Sequence, residues 1–268
     1  RPKRFRSVIT SGRTVAVWGA ARSGIAAAKL LVQLGAKVIL SDNRKHDALN
    51  LDNLDGSVAV EYGGNTLAGA DLLVPSPGIK PSTPVLRDAI ASGVTLCSEI
   101  ELAAAHAQAP IVAITGTDGK STTTAMIGEM IEGTGRRAIV AGNIGTPFCE
   151  RVLDGQETDI FVIEVSAFQL WSCTHFAPDV AVVTNIAEDH AEYFDHDTAS
   201  YIAAKERILT DMKPGTHAIL RGDDDHVAMF KTNDGVNRVL FGPQQVALGW
   251  GFDGRTMTHD GQPILDAA

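Results

Sequence analysis

A chain of 268 residues, 44% hydrophobic and 21% charged, is long enough for two globular domains with real cores. Its net charge of −9 excludes general binding along nucleic acid, which needs basic stripes, while leaving room for a local nest of N–H groups around a small anion. A run of about 18 apolar residues, as a membrane helix requires, is not found.

Cys97, Cys149 and Cys173 are odd in number and widely spaced, and read as buried free thiols of a reducing compartment. Residues 1–13 hold Arg1, Lys3, Arg4, Arg6 and Arg13 without an acid or a signal-type apolar region, and read as a solvated arm. From Thr14 to Gly24 (TVAVWGAARSG) a strand runs into a glycine turn. Ile25, Ala28, Leu31 and Val32 then recur at helical spacing, predicting a helix over 23–34 that Gly35 stops. Lys37 to Asp42 is the next strand, completing a βαβ unit with an acid at the second strand's end, the Rossmann pattern. Ala21 stands where the fingerprint has its middle glycine, which restricts approach of a dinucleotide pyrophosphate, whereas Asp42 is placed to bond a ribose or a base. Leu72 to Ile79 (LLVPSPGI) is a strand entering a rigid Pro/Gly loop. A helix over 84–92, a short strand over 94–97 and an Ala-rich helix over 99–106 follow, with a domain boundary near Ser98. His106 reads as a surface or hydrogen-bonded histidine.

The apolar run from Ile111 to Ile114 is cut by a Gly-rich turn, Thr115 to Gly119, before Lys120, Ser121 and a helix to about Ile131. This order is that of a nucleotide-phosphate site: amides without helical partners face the phosphates, Lys120 brings a positive charge, and the Ser121 hydroxyl suits Mg²⁺. Gly116 precedes Gly119 by three positions, shorter than the five of the standard P-loop. Strands over 137–140, 159–165 and 180–185 alternate with loops and a helix over 198–209 that carries Lys205, and weaker strands lie at 218–220 and 239–241. The tail from Gly249 onward is expected to lack a closing strand. In a doubly wound sheet the carboxyl ends of the strands converge, so Ser121, Asn143, Glu164, Asn185 and His190 should face one cleft. Glu164, ending an unbroken apolar strand, is the best metal-binding carboxylate. Asp189 and His190 could equally cap their loop, His196 and Asp197 read as loop residues, and Asp223 to Asp225 as an acidic turn capping the next helix.

Residues 115–122 (TGTDGKST), 142–145 (GNIG), 164–170 (EVSAFQL), 185–190 (NIAEDH) and 203–205 (AAK) together resemble the Mur ligase family, makers of the peptide stem of bacterial cell-wall precursors. Residues 18–24 (WGAARSG), 41–42 and 76–79 are most similar to the branch that adds D-glutamate to UDP-N-acetylmuramoyl-L-alanine. The resemblance implies an α/β chain. Residues 1–98 would form a Rossmann-like domain for the UDP substrate, and 99–268 a P-loop ATPase-like central domain with a mostly parallel sheet. It implies ATP bound by Gly116, Thr117, Asp118, Gly119, Lys120, Ser121 and Thr122, and Mg²⁺ held by Ser121, Glu164, His190 and a carbamylated Lys205. Lys120, His190 and Lys205 would be catalytic. Arg22, Ser23, Asp42, Asn43, Gly78, Asn143, Ser166, Gln169 and His190 would meet the UDP substrate, and D-glutamate would be the second substrate. A cytoplasmic monomer without nucleic-acid or membrane partners is expected. Asp118 replaces a usual asparagine and Ala167 a common serine. Nothing matches the family's adenine-contacting His/Asn segment or its third, amino-acid-binding domain, so the central domain is expected to be incomplete. A UDP-sugar-binding module without turnover, and an NAD(P)-dependent oxidoreductase built on the first βαβ unit, are the rival readings.

Overall fold

The computed structural model describes residues 12–52, 54–187, 192–243 and 249–266. The first sheet contains β1 (Thr14–Trp18), β2 (Lys37–Asp42), β3 (Ala59–Tyr62), β4 (Leu72–Pro75) and β5 (Thr95–Leu96) in the order β3-β2-β1-β4-β5, all parallel. Helix α1 (Arg22–Gln33) connects β1 to β2, and α2 (Pro84–Ala91) connects β4 to β5. Val15 to Trp18 are completely buried, as a central strand covered on both faces must be. The chain leaves β1 to opposite sides through β2 and β4, which opens a crevice at the carboxyl end of β1. Gly24 is required there, because a Cβ on it would lie 1.9 Å from the Gly19 carbonyl oxygen.

Helix α3 (Glu99–His106) leads into the second sheet, ordered β14-β13-β12-β11-β10-β9-β6-β8-β7. Its parallel part comprises β6 (Ile111–Thr115), β7 (Ala138–Gly142), β8 (Ile160–Glu164), β9 (Val180–Val183), β10 (His217–Arg221), β11 (Asn237–Gly242) and β12 (Trp250–Phe252). The connecting helices are α4 (Lys120–Gly133), α5 (Phe148–Leu153), α6 (Ala167–Leu170), α7 (Thr198–Thr210) and α8 (Asp225–Ala228). Asp224 caps α8 by accepting from the amides of His226 and Val227, as the acidic turn leads one to expect. The α/β class with mostly parallel sheets is thus the observed architecture. A continuous buried cluster runs from Val15 through Ile100 and Phe148 to Phe176, because α1 packs on both α3 and α5.

The expectation for the tail is overturned. Trp250–Phe252, β13 (Thr256–His259) and β14 (Gln262–Asp266) form an antiparallel meander on the edge of the sheet. Asp260 and Gly261 make its last turn with φ of 49° and 75°, the doubly left-handed geometry for which Asp-Gly is suited. Elements β3, α5 and α6 also escaped the sequence reading, each being short and weakly periodic. All three cysteines are buried and free. No helix among the described residues is long and apolar enough to cross a membrane. Arg13 pairs with Asp71 at 3.4 Å, while Arg1, Lys3, Arg4 and Arg6 lie outside the described residues.

Candidate phosphate and metal site at the carboxyl edge of the central sheet

The loop between β6 and α4 is shaped by two left-handed glycines. Gly119 occupies the N-cap of α4 at φ 78°, where no side chain satisfies the first-turn amides. A long helix entered this way presents free N–H donors and the positive end of its dipole to an anion. Gly116, at φ 145°, admits no side chain, since a Cβ would lie 1.9 Å from Thr184 Oγ1. The loop is therefore laid against the end of β9. Thr117 N donates to the Asn185 carbonyl (2.9 Å) and Asp118 N to Asn185 Oδ1 (2.9 Å). The Asp118 carbonyl accepts from Thr184 Oγ1 (2.7 Å) and Asn185 Nδ2 (3.0 Å). Thr117 Oγ1 accepts from Ala187 N at 2.9 Å and shares a hydrogen bond with the Tyr201 hydroxyl at 3.0 Å. Two of the expected nucleotide contacts, Thr117 and Asp118, thus spend these groups on the loop's own shape, and the Asp118 side chain faces solvent.

Lys120 Nζ folds back to donate to the Thr117 carbonyl at 2.6 Å, over the loop's mouth. Beside it, Ser121 Oγ donates to Glu164 Oε2 (2.6 Å) and Asn143 Nδ2 to Glu164 Oε1 (2.7 Å). Glu164 is 1% exposed. A buried carboxylate joined to a hydroxyl is a set of hard oxygen donors that fits Mg²⁺. Among the described residues no group of three or more His, Cys, Asp and Glu side chains surrounds it. His190 and Asp189 lie outside the described residues. Lys205 was legible from residues alone only as an exposed helix lysine. The structure buries it to 2% exposure, with Nζ donating to the Gly116 carbonyl at 2.5 Å and lying 4.7 Å from the Tyr201 ring centre. As an ammonium it cannot coordinate a metal, so the ligand role implied for it requires the carbamylated form.

The crevice of the first sheet holds the other expected residues. Asp42 Oδ2 accepts from Ala20 N (2.7 Å) and Arg44 Nη2 (2.8 Å), and Oδ1 from Arg44 N (2.8 Å) and Nε (2.9 Å). The Arg44 side chain, foremost, holds the Asp42 carboxyl far below the usual carboxylate range against the opposing effect of burial. Asp42 therefore fastens the turn, and the half-exposed Arg44, which the sequence reading missed, pairs with it through Nε and Nη2. Asn43 and Gly78 are exposed on the same edge, and Ser23 is in the first turn of α1. Arg22 reaches across to the second sheet, its Nη2 donating to the Gly145 carbonyl. Tyr193 OH donates to the Ile79 carbonyl (2.7 Å) and accepts from Trp171 Nε1 (3.0 Å), a second bridge between the sheets.

Ser166 and Gln169, expected to meet substrate, have another task in this structure. They form the capping box of α6: Gln169 N donates to Ser166 Oγ (3.3 Å) and Ser166 N to Gln169 Oε1 (3.0 Å). They are 8% and 3% exposed. The Ser-x-x-Gln spacing was a local signal for this cap. Tyr201, four residues before Lys205 and on the same helix face, and Thr184 are the remaining loop-holding residues that the sequence reading missed.

The profile of the Mur ligase middle domain matches residues 114–265, and that of the MurD-like Mur ligase N-terminal domain matches residues 13–98. A UDP-N-acetylmuramoylalanine–D-glutamate ligase of Syntrophus aciditrophicus is 40% identical over 226 residues, 82% of this chain and 50% of that protein. The protein of the same name from Shouchella clausii is 38% identical over 265 residues, 96% of this chain and 58% of that protein. The chain thus spans about half the length of such relatives. The solved structure of UDP-N-acetylmuramate:L-alanyl-gamma-D-glutamyl-meso-diaminopimelate ligase from Neisseria meningitides shares the fold, with a TM-score of 0.59 at 17% identity over 94% of this chain and 86% of that one. With two of the family's domains matched in order and a glycine loop built beside a buried carboxylate, the chain belongs to the Mur ligase family.

Proposed function

We propose that this chain is the UDP-substrate- and ATP-binding part of a cytoplasmic ligase that adds D-glutamate to UDP-N-acetylmuramoyl-L-alanine. The observation that carries the reading is the junction of Ser121, Asn143 and Glu164 beneath the loop that Lys205 holds from behind. In this reaction the substrate carboxylate attacks the γ-phosphorus of ATP and ADP leaves, giving an acyl phosphate. The amine of D-glutamate then attacks the acyl carbon, loses a proton to a base, and phosphate departs. Lys120, bonded here to the Thr117 carbonyl, would pair with the β- and γ-phosphates, and the amides at the start of α4 would bind their oxygens. Ser121 and Glu164 would hold Mg²⁺, which supplies positive charge against the transferring phosphoryl group. Arg22 and Arg44, exposed near the carboxyl end of β1 and β2, would supply positive charge to a nucleoside diphosphate once released from Gly145 and Asp42. Lys205, buried behind the loop, would join the metal set only as the carbamate formed when its amine adds carbon dioxide and gives up a proton.

The test pairs the full-length protein with this chain. UDP-N-acetylmuramoyl-L-alanine and D-glutamate should drive phosphate release by the full-length protein, and Lys120→Ala should abolish it; unchanged release in that variant would sink the assignment of the loop. A second reading is a UDP-sugar-binding module without turnover. Calorimetric binding of the UDP substrate without ATP hydrolysis would identify it. The oxidoreductase reading loses support, because the acid meant for a dinucleotide ribose is already saturated by Ala20 and Arg44.

A further inference from the structure

Helix α5 starts behind Pro147, which gives its first amides no side-chain acceptor. The residues at that end, Phe148 and Cys149, are fully buried, so water cannot satisfy them. The acceptor comes from another helix. Glu99, the first residue of α3, takes a hydrogen bond from Cys149 N on its Oε1 at 2.5 Å, and Cys149 Sγ donates back to the Glu99 carbonyl at 3.3 Å. Glu99 is 3% exposed, and its Oε2 is buried without a hydrogen-bond partner. A carboxyl group kept dry with one oxygen idle is costly, so the bond that its other oxygen makes must account for its place in the core.

The loop that precedes α5 is the one that carries Asn143. It is short and tied at both ends: Asn143 N donates to the Glu164 carbonyl (2.9 Å), Gly142 N donates to the Thr146 carbonyl (3.0 Å), and Pro147 enters α5 directly. A displacement of α5 must therefore pass into Asn143 and Gly145. We propose that Glu99 is a positioning residue: by capping α5 from α3 it sets the 142–146 loop so that Asn143 meets Glu164 and the Gly145 carbonyl meets Arg22. This rests on the reading of Glu164 and Arg22 as parts of the ligase site. Burial pushes the Glu99 carboxyl up to about 7, consistent with a neutral acceptor rather than an ion-pair partner.

The experiment compares Glu99→Gln, which keeps shape and acceptor, with Glu99→Ala, which removes both, in this chain. Amide hydrogen exchange at Asn143 and Cys149 is read without ligand, and affinity for UDP-N-acetylmuramoyl-L-alanine by calorimetry. Glu99→Ala should speed exchange at both amides and weaken binding by about fivefold, the loss of one helix cap, while Glu99→Gln stays close to the parent. Adding Pro147→Ser to Glu99→Ala gives α5 a local cap and should restore slow exchange, which keeps the test decisive even where Glu99→Ala folds poorly. Unchanged exchange at Asn143 in Glu99→Ala, or a Glu99→Gln as impaired as Glu99→Ala, overturns the proposal. A parent chain that does not bind the UDP substrate would instead refute the ligase reading, with the exchange comparison still deciding whether Glu99 sets the loop.

Discussion

Lys205 Nζ, buried on α7, donates to the carbonyl oxygen of Gly116, 89 residues earlier, at 2.5 Å. The helix is thereby fastened to the loop between β6 and α4. Replacing Lys205 with Met keeps most of the volume but strands that carbonyl. The expected outcome is a loss of about 1–3 kcal/mol in denaturant unfolding, together with loss of phosphate release in the full-length protein. A carbon-13 carbamate resonance under labelled carbon dioxide, absent in the variant, would identify the modified lysine. Its absence from the parent removes Lys205 from the proposed metal set.

Glu164→Gln tests the metal reading. The amide can still accept from Ser121 or Asn143, so the fold should persist with little change in melting temperature. Magnesium-dependent binding of ATP, measured by calorimetry, should weaken by about tenfold or more, since the hard anionic ligand is gone. Equal magnesium dependence in parent and variant would contradict the site.

The Asp42–Arg44 pair predicts acid sensitivity with a definite sign. The folded carboxyl ionises well below its unfolded value, so its stabilisation is present above about pH 4 and is lost as pH falls towards the folded value. Asp42→Asn should flatten the acid limb of a stability–pH curve, and it should also loosen the turn that carries Ala20 and Arg44. A limb of unchanged slope would show that the pair contributes nothing.

Glu99 predicts the opposite slope. Its folded value, raised to about 7 by burial, means that the native state holds the proton more tightly than the unfolded chain. Stability should therefore fall as pH rises from about 4.5 to about 7, by at most roughly 3 kcal/mol, and Glu99→Gln should remove that slope. The other ionisable groups around it are Glu101 on α3, Cys97 before it, Cys149 and Glu150 on α5, and Cys173. Of these, Glu101 is itself raised by burial and adds to the same slope, so the comparison of Glu99→Gln with the parent is the informative one.

Tyr193→Phe removes the hydroxyl that links Trp171 to Ile79 across the two sheets. Two half-buried partners lose a bond, for an expected cost of about 1 kcal/mol in thermal unfolding and weaker binding of the UDP substrate. Unaltered stability and affinity would mark the bridge as incidental.

Local pattern by itself determined much of this protein. The βαβ unit around Trp18 to Gly24 and the strand, loop and helix around Gly116 to Ser121 are legible because apolar periodicity and left-handed glycines act over a few residues. The Asp260-Gly261 turn and the Ser166–Gln169 capping box were equally local and legible in principle. Which groups are already used was decided only by tertiary structure. Glu164 is joined to residues 21 and 43 positions away, Lys205 to one 89 away, and Glu99 to one 50 away. Spacing along a chain marks which residues could bind a ligand, whereas burial and competing hydrogen bonds settle which of their atoms are left to do so; for Asp42, Thr117, Ser166 and Gln169 those partners come from the protein itself.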